Sequence, residues 1–291
     1  MAQITLEQWQ ALIAVVESGG YAQAADKLYK SQSAVSYAIQ KIESMLTVKI
    51  FEIQGRKAVL TATGHLLYRR ALILVEEAND LERAAHRLSA GWEAVITLAA
   101  EVLFPPEILL ACLDRFGRES PHTRIELVES VLGGTAEALL TGEADLAISP
   151  QQPPGLLGDL LLRVQLVAVA HADHPLHHLG RELNSLDLRH YRHVVVRDSG
   201  PQRDLRAVTV EVDQRWTVGQ FATSIQAVKL GYGFAWLPEA HIAEELRTGR
   251  LKPLPLREGA RREVPLYLIL AKPDIAGPGV KKLAEIIKWF K

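Results

Sequence analysis

The sequence predicts a molecule of two unlike parts: a small, mainly helical N-terminal unit prolonged by one long helix, and a larger C-terminal α/β region. Three observations carry this. Apolar residues recur at helical spacing through most of the first 46 residues. Leucine and alanine then alternate on a seven-residue period from Leu67 to Leu88. From Val95 onward, runs of strand character alternate with helical ones. A chain of 291 residues has room for two or three domains, and 48% apolar with 23% charged residues is a globular composition.

In chain order, Thr5 with Gln8 fits a capping box. Leu6, Trp9, Leu12, Ile13 and Val16 form the stripe of a first helix, which Gly19-Gly20 stops. Ala24, Ala25 and Leu28 mark a short second helix from about Tyr21. Ser31 is a fitting N-cap for a third, Gln32 to about Leu46, with Val35, Ile39 and Ile42 on its apolar face. In "KIFEIQGRKAVLTATG", two short strands flank a turn at Gln54-Gly55. Next, Leu67, Leu74, Leu81 and Leu88 alternate with Ala71, Ala78 and Ala85, the seam of a coiled coil over residues 65–90. A helix lying on its own domain would favour a broader, drifting stripe, so this one is expected to pair with a partner.

Beyond it, "VITLAA", "RIELVE", "ADLAIS", "LLRVQLVAVA", "HVVV", "VTVEV", "GFAWL" and "VPLYLILA" read as strands. Helices are expected near 106–117, 134–141, 222–230, 239–247 and 279–290. Alternation of this kind predicts mostly parallel sheets covered by helices on both faces. Ligands bind such sheets beyond the carboxyl ends of their strands.

The charge pattern is uninformative by sum. The net charge is −1, and residues 1–60 hold six bases against five acids. The third helix is more telling. Opposite its apolar face it presents Gln32, Ser33, Ser36, Tyr37 and Gln40, polar but uncharged, where a plain surface helix would carry Glu and Lys. Neutral donors and acceptors suit base edges in a major groove, because they are not captured by phosphates on the way in. Lys30, Lys41, Arg56 and Lys57 flank that face, where backbone contacts would set register. Two short helices before such a third one suggest a helix-turn-helix.

"AADKLYKSQSAVSYAIQKIE", the following hairpin segment and the heptad helix together resemble the N-terminus of LysR-type transcriptional regulators. "PHTRIELVE", "GEADLAIS", "HADHPL" and "KLGYGFAWLPE" are similar, in order, to landmarks of that family's effector region, so the resemblance covers essentially the whole chain. It implies an N-terminal all-α winged helix-turn-helix at 1–62, a dimerising linker helix at 63–90 and a C-terminal α/β region at 91–291. That region would be periplasmic-binding-protein-like, with one subdomain at 91–163 and 267–291 and another at 164–266. The implied partners are promoter DNA, a small-molecule effector and further copies of the chain, as a dimer through 65–90 and a tetramer. RNA polymerase is a candidate partner; no cofactor and no membrane are implied. At DNA, the matching positions put Gln32, Ser33, Ser36 and Gln40 at bases or nearby phosphates and Arg56 in the wing. The chain departs from the family where it has Gly20 for a common Ser, Thr47 for Gly and Ile53 for Arg.

The resemblance also places an effector pocket between the subdomains, on strand-end loops containing Ala100, Glu101 and Val102, then Ser130, Leu132 and Gly133, then Ser149. Arg197, Asp198 and Ser199, with Gln220, Phe221 and Thr223, complete it. Family members often have a Ser or Thr that grips a carboxylate where this chain has Glu101. Glu101, Glu129 and Asp198 would then form an acidic pocket suited to an amine-bearing effector, unless Glu101 points outward or pairs with Arg197.

Other classes have less support. Motifs of the GxSxG, P-loop, GxGxxG and HExxH kinds are missing, so an enzyme is not expected. The start "MAQITLEQWQ" does not read as a signal peptide, and no apolar run approaches the roughly 18 residues of a membrane span, which points to the cytoplasm and away from a pure solute-binding protein. The histidines of "HADHPLHH" are expected to form an ordinary loop rather than a zinc or nickel site, and the lone Cys112 a small core residue.

Overall fold

The computed structural model describes residues 3–54, 57–200 and 210–290, which divide into two compact units, 1–90 and 91–291.

In the first unit, α1 (Leu6–Ser18) starts on a complete capping box: Thr5 N donates to Gln8 Oε1 at 2.9 Å, and Gln8 N to Thr5 Oγ1 at 3.3 Å. Such a cap is worth about 1 kcal/mol. Helix α2 (Tyr21–Leu28) begins at Gly20 without a side-chain cap, the cost of glycine at that position. Helix α3 (Gln32–Leu46) is capped by Ser31, whose Oγ accepts from Ala34 N at 3.2 Å. Leu12, Val15, Ala24, Ala25, Val35, Ile39 and Ile42 close a common core among the three helices. Strands β1 (Phe51–Gln54) and β2 (Lys57–Leu60) pair antiparallel, with Phe51 opposite Leu60. Glu43 ties α3 to this hairpin, its carboxylate accepting from Ile50 N at 2.7 Å. The turn residues Gly55 and Arg56 lie outside the described residues.

Helix α4 (Ala62–Ser89) is rooted in the same hairpin. Thr61 N donates to Ile50 O at 2.9 Å, its hydroxyl donates to Lys49 O at 2.6 Å and accepts from Gly64 N at 2.9 Å. A Cβ on Gly64 would stand 2.2 Å from Ile50 O, so only glycine allows this approach. The heptad seam has two fates. Ala71 is buried and Leu67 half-buried against α1 and its core, whereas Leu74, Leu81 and Leu88 are exposed, Leu81 at 73%. The first three turns therefore lie on their own domain, and Leu74, Leu81 and Leu88 beyond them form an uncovered apolar strip.

The second unit holds one nine-stranded sheet in the order β4-β3-β5-β11-β6-β9-β7-β8, with β10 on β6. Its strands are β3 (Val95–Glu101), β4 (Arg124–Ser130), β5 (Leu146–Ser149), β6 (Gly158–His171), β7 (His193–Val196), β8 (Arg215–Val218), β9 (Phe234–Pro238), β10 (Leu251–Pro253) and β11 (Arg261–Leu270). The expected mostly parallel arrangement is corrected. β3 runs parallel to β4 and β5, and β7 to β8 and β9, but β6 pairs antiparallel with β9, β10 and β11, and β11 antiparallel with β5. The reason is that β6 and β11 are long crossovers, each running from one lobe to the other. Leu161 and Val164 of β6 belong to the first lobe's core with Phe116 and Leu283, while Val167 and Val169 belong to the second lobe's core with Val228 and Leu237.

Helices α5 (Pro106–Glu119), α6 (Gly133–Thr141) and α10 (Pro278–Trp289) cover the first lobe. Helices α7 (Ser185–Leu188), α8 (Phe221–Lys229) and α9 (Ala243–Arg247) cover the second. Cys112 is buried beside Phe116, and burial pushes its thiol up to about 11. The expected "VTVEV" strand is also corrected: 208 and 209 lie outside the described residues, and 210–212 form no strand, Val210 packing beside Leu188 and Phe234 instead. The edge strand is β8, a few residues later.

Thr47, the C-cap of α3, sits at φ 53 and ψ 45, a left-handed conformation that is costly for a β-branched residue. Thr47→Gly removes about 1–2 kcal/mol of strain and adds back part of that as unfolded-chain entropy. The substitution should therefore stabilise the N-terminal unit by about 0.5–1 kcal/mol, read as a higher unfolding midpoint in thermal denaturation.

Candidate nucleic-acid interface and effector pocket

On α3, Gln32, Ser33, Tyr37 and Gln40 are exposed, Tyr37 at 64%, while Ser36 is half-buried. Ser33 and Ser31 share a hydroxyl–hydroxyl hydrogen bond at 3.0 Å. No acid lies on this outer face, because Glu43, the one acidic residue of α3, is engaged with the hairpin. Lys30 is exposed and pairs with Glu7 at 3.3 Å, and Lys41 is half-buried. Of the other two flanking bases, Lys57 opens β2 and Arg56 lies outside the described residues. The sequence pattern did not point to Tyr29, which lies on the turn between α2 and α3 and is 98% exposed in a left-handed conformation at φ 53. Ile53, already noted as standing in place of a common Arg, is 82% exposed on the hairpin.

Between the lobes of the second unit lies a cavity of about 170 Å³. Of the residues expected at the pocket, Glu101, Val102, Leu132 and Phe221 line it. Leu103, Val131, Leu166, His193, Val194, Val195, Val196, Ser224, Trp236, Leu237 and Arg262 also line it and were not anticipated. Ala100 does not face it, because on β3 it alternates with Glu101 and packs into the first lobe's core. Ser130 and Ser149 are buried in the first lobe, Ser149 accepting from Thr135 Oγ1 at 2.9 Å and donating to Gln151 O at 2.7 Å. Arg197, Gln220 and Thr223 are exposed and stand outside the lining.

Gly133, Asp198 and Ser199 serve a different purpose. They latch the lobes together. Ser199 N donates to Val131 O at 3.1 Å, Val131 N donates to Ser199 Oγ at 2.9 Å, and Gly133 N donates to Asp198 Oδ1 at 3.0 Å. A Cβ on Gly134 would stand 2.0 Å from Ser199 Oγ, so the contact requires glycine there.

The acidic trio is not assembled. Glu129 lies opposite Ala100 in the β3–β4 register, hence on the other face from Glu101, and is exposed. Glu101 itself is buried, and its Oε2 accepts from Leu132 N at 2.8 Å. Burial, reinforced by nearby Asp198 and offset by the Leu132, Leu103 and Val102 amides, pushes its carboxyl up to about 7. The amide donor belongs to Leu132, held at φ 53 and ψ −109, a conformation that non-glycine residues avoid.

His193 is buried, stacked on Phe234 with centroids 4.9 Å apart and edge-on to Trp236 at 5.4 Å. Burial first, then Arg215 and Arg262, push its pKa down to about 4, so the ring is neutral. The "HADHPLHH" histidines build a turn: His174 Nδ1 accepts from Leu176 N at 3.3 Å and its ring packs on Tyr191. Among the described residues, no group of three His, Cys, Asp or Glu side chains is placed to hold a metal, and no helix is long and apolar enough to cross a membrane.

Residues 6–65 match the family model of the bacterial regulatory helix-turn-helix protein, lysR family, and residues 89–290 match that of the LysR substrate binding domain. Among curated relatives, the probable HTH-type transcriptional regulator YhaJ of Escherichia coli (strain K12) is 30% identical over 254 residues, covering 86% of this chain and 85% of that protein. The uncharacterized HTH-type transcriptional regulator YeeY of the same strain is 30% identical over 255 residues, covering 84% and 81%. Among solved structures, ArgP from Mycobacterium tuberculosis superposes with a TM-score of 0.57 at 20% identity, covering 97% of this chain and 96% of that one. CrgA from Neisseria meningitidis gives 0.53 at 19% identity, covering 98% of each. These two likenesses concern the fold.

The Glu101 shift predicts a pH dependence. Its folded pKa lies above the unfolded value, so the folded state holds the extra proton between about 4.5 and 7, and stability falls as pH rises through that window. Glu101→Gln keeps the acceptor for Leu132 N and cannot ionise. Relative to the parent chain it should be neutral at pH 5 and stabilising at pH 8, by on the order of 2–3 kcal/mol, in denaturant unfolding followed at both pH values.

Proposed function

Because this chain belongs to the LysR family of transcriptional regulators, DNA-binding proteins with a helix-turn-helix and a substrate-binding domain and not enzymes, we propose how its own residues divide the work. Helix α3 enters the major groove of promoter DNA with Gln32, Ser33, Ser36, Tyr37 and Gln40 toward the bases. Lys30, Lys41, Arg56 and Lys57 meet the phosphates, as does the exposed Tyr29 hydroxyl. The observation that carries this is the outer face of α3, polar and free of acids on a helix whose one carboxylate is turned to the hairpin. With a net charge of −1 the chain has little long-range attraction to DNA, so local placement of those few bases must supply the electrostatic term.

The uncovered seam of Leu74, Leu81 and Leu88 pairs with the same seam of a second copy. Two such dimers make a tetramer that spans two promoter sites. A small molecule in the cavity between the lobes is the effector, and it acts by changing how the lobes close on the latch of residues 131–133 with 198 and 199. RNA polymerase is the downstream partner, and the protein works in the cytoplasm.

Gln32→Ala and Gln40→Ala each truncate an exposed side chain and should leave the thermal midpoint unchanged while weakening operator binding by about 1–3 kcal/mol. Genomic footprinting supplies the operator, and binding isotherms on that fragment are the measurement. Full affinity in both variants would refute the assigned face. A Leu81→Lys chain should sediment as a smaller species than the parent at equal concentration, because a charge at the seam opposes pairing.

A further inference from the structure

We propose that the cavity between the lobes takes a compact carboxylate with an apolar body of about one six-membered ring, its head held by the Arg262 guanidinium on the crossover strand β11. The inference rests on the reading of this cavity as the effector site and names the class of molecule it accepts.

The argument begins with strand parity. Arg261 and Glu263 project from one face of β11, and both are paired: Arg261 with Glu239 at 3.3 Å, Glu263 with Arg163 at 2.8 Å and with Gln165 at 2.9 Å. Arg262 projects from the other face into the cavity. It is half-buried, its guanidinium lies 4.1 Å over the Trp236 ring, and among the described residues it meets no carboxylate. A cation drawn out of water without a counter-charge is costly, and its preferred remedy is an anion. Burial alone holds the Arg262 guanidinium below its ordinary value, which is the same demand seen from its proton.

Arg262 is also held ready. Trp236 is fixed by its Nε1, which donates to Gly259 O at 2.8 Å, and is flanked edge-on by His193. The stack from Phe234 through His193 and Trp236 to Arg262 leaves the guanidinium little freedom, so less entropy is lost when its fork meets a carboxylate. His193 is buried at 5% exposure, and its Nδ1 has no hydrogen-bond partner among the described residues. Being neutral, it does not compete with Arg262 for charge. Among the described residues the only carboxyl in the lining is Glu101, which takes up a proton near neutrality and then donates a hydrogen bond to an anion in place of repelling it.

Size and lining set the remainder of the molecule. Leu103, Val131, Leu166, Phe221 and Leu237 make apolar walls. The cavity measures about 170 Å³, and an apolar cavity of about 150 Å³ is known to hold a benzene ring. An amine, the ligand suggested by three clustered acids, meets here one cation and one readily protonated acid.

The test is calorimetric titration of the full chain with benzoate and its isosteres benzylamine and benzyl alcohol. Benzoate should bind saturably, and both isosteres at least tenfold more weakly. Arg262→Gln should lower benzoate affinity roughly 10- to 100-fold, the loss of a charge-assisted pair, with the thermal midpoint of the free protein unchanged or raised because an unpaired cation is gone. Arg262→Lys, which keeps the charge and loses the fork, should fall between, and it carries the test if Arg262→Gln does not fold. Benzylamine binding as tightly as benzoate, unchanged benzoate affinity in the Arg262 variant, or no saturable binding in the millimolar range overturns the proposal. If benzoate binds through Arg262 and leaves operator affinity and footprint unchanged, the anion site stands and the reading of the cavity as regulatory falls.

Discussion

The second unit depends on one constraint: two antiparallel strands are shared by both of its lobes. Strand β11 pairs with β6 over nine registered positions, from Arg261 opposite Val167 to Ile269 opposite Gly158. Strand β6 buries apolar residues in the cores of both lobes, while β11 buries Leu266 and Leu268 in the first lobe's core and reaches the second through the Arg261–Glu239 pair, so β6 cannot leave without dismantling both. The facing pair Arg262 and Leu166 lies on this ladder and lines the cavity. The cavity therefore has a floor belonging to the joint itself, while Glu101, Leu132 and Phe221 approach it from the lobes. Relative motion of the lobes changes what stands above the floor and leaves the floor in place.

Much of the first unit was legible because its signals are local. A threonine three residues before a glutamine, a serine ahead of an apolar stripe and a glycine pair each fix one helix end through contacts within four residues. The heptad was equally plain, though a periodic stripe does not say which of its turns the domain keeps for itself. Here Gly64 decides that, by letting the start of α4 press against Ile50 so that Leu67 and Ala71 are consumed locally.

The pocket was less legible, for reasons of register. Glu101 was identified as unusual, but its supposed partner Glu129 sits opposite Ala100, and one residue of parity sends it to the other face. Nothing local encodes that pairing across 28 residues of sequence. Arg262 stands in a run of three charged residues that reads as a solvated edge, "RRE", and only the sheet separates the two paired members from the unpaired one. Trp236 and His193 lie in apolar strand runs that read as core, which they also are. The mixed sheet itself was hidden because a crossover strand, covered in two lobes in succession, reads as a continuous apolar run like any buried parallel strand.

Lys49, Ile50, Thr61 and Gly64 are joined by three hydrogen bonds and a backbone approach too close for any side chain. Such a weld has no slack. A torque applied along the shaft of α4 is not dissipated at its base and turns the hairpin with it, so that any reorientation of α4 steers the hairpin through the same angle.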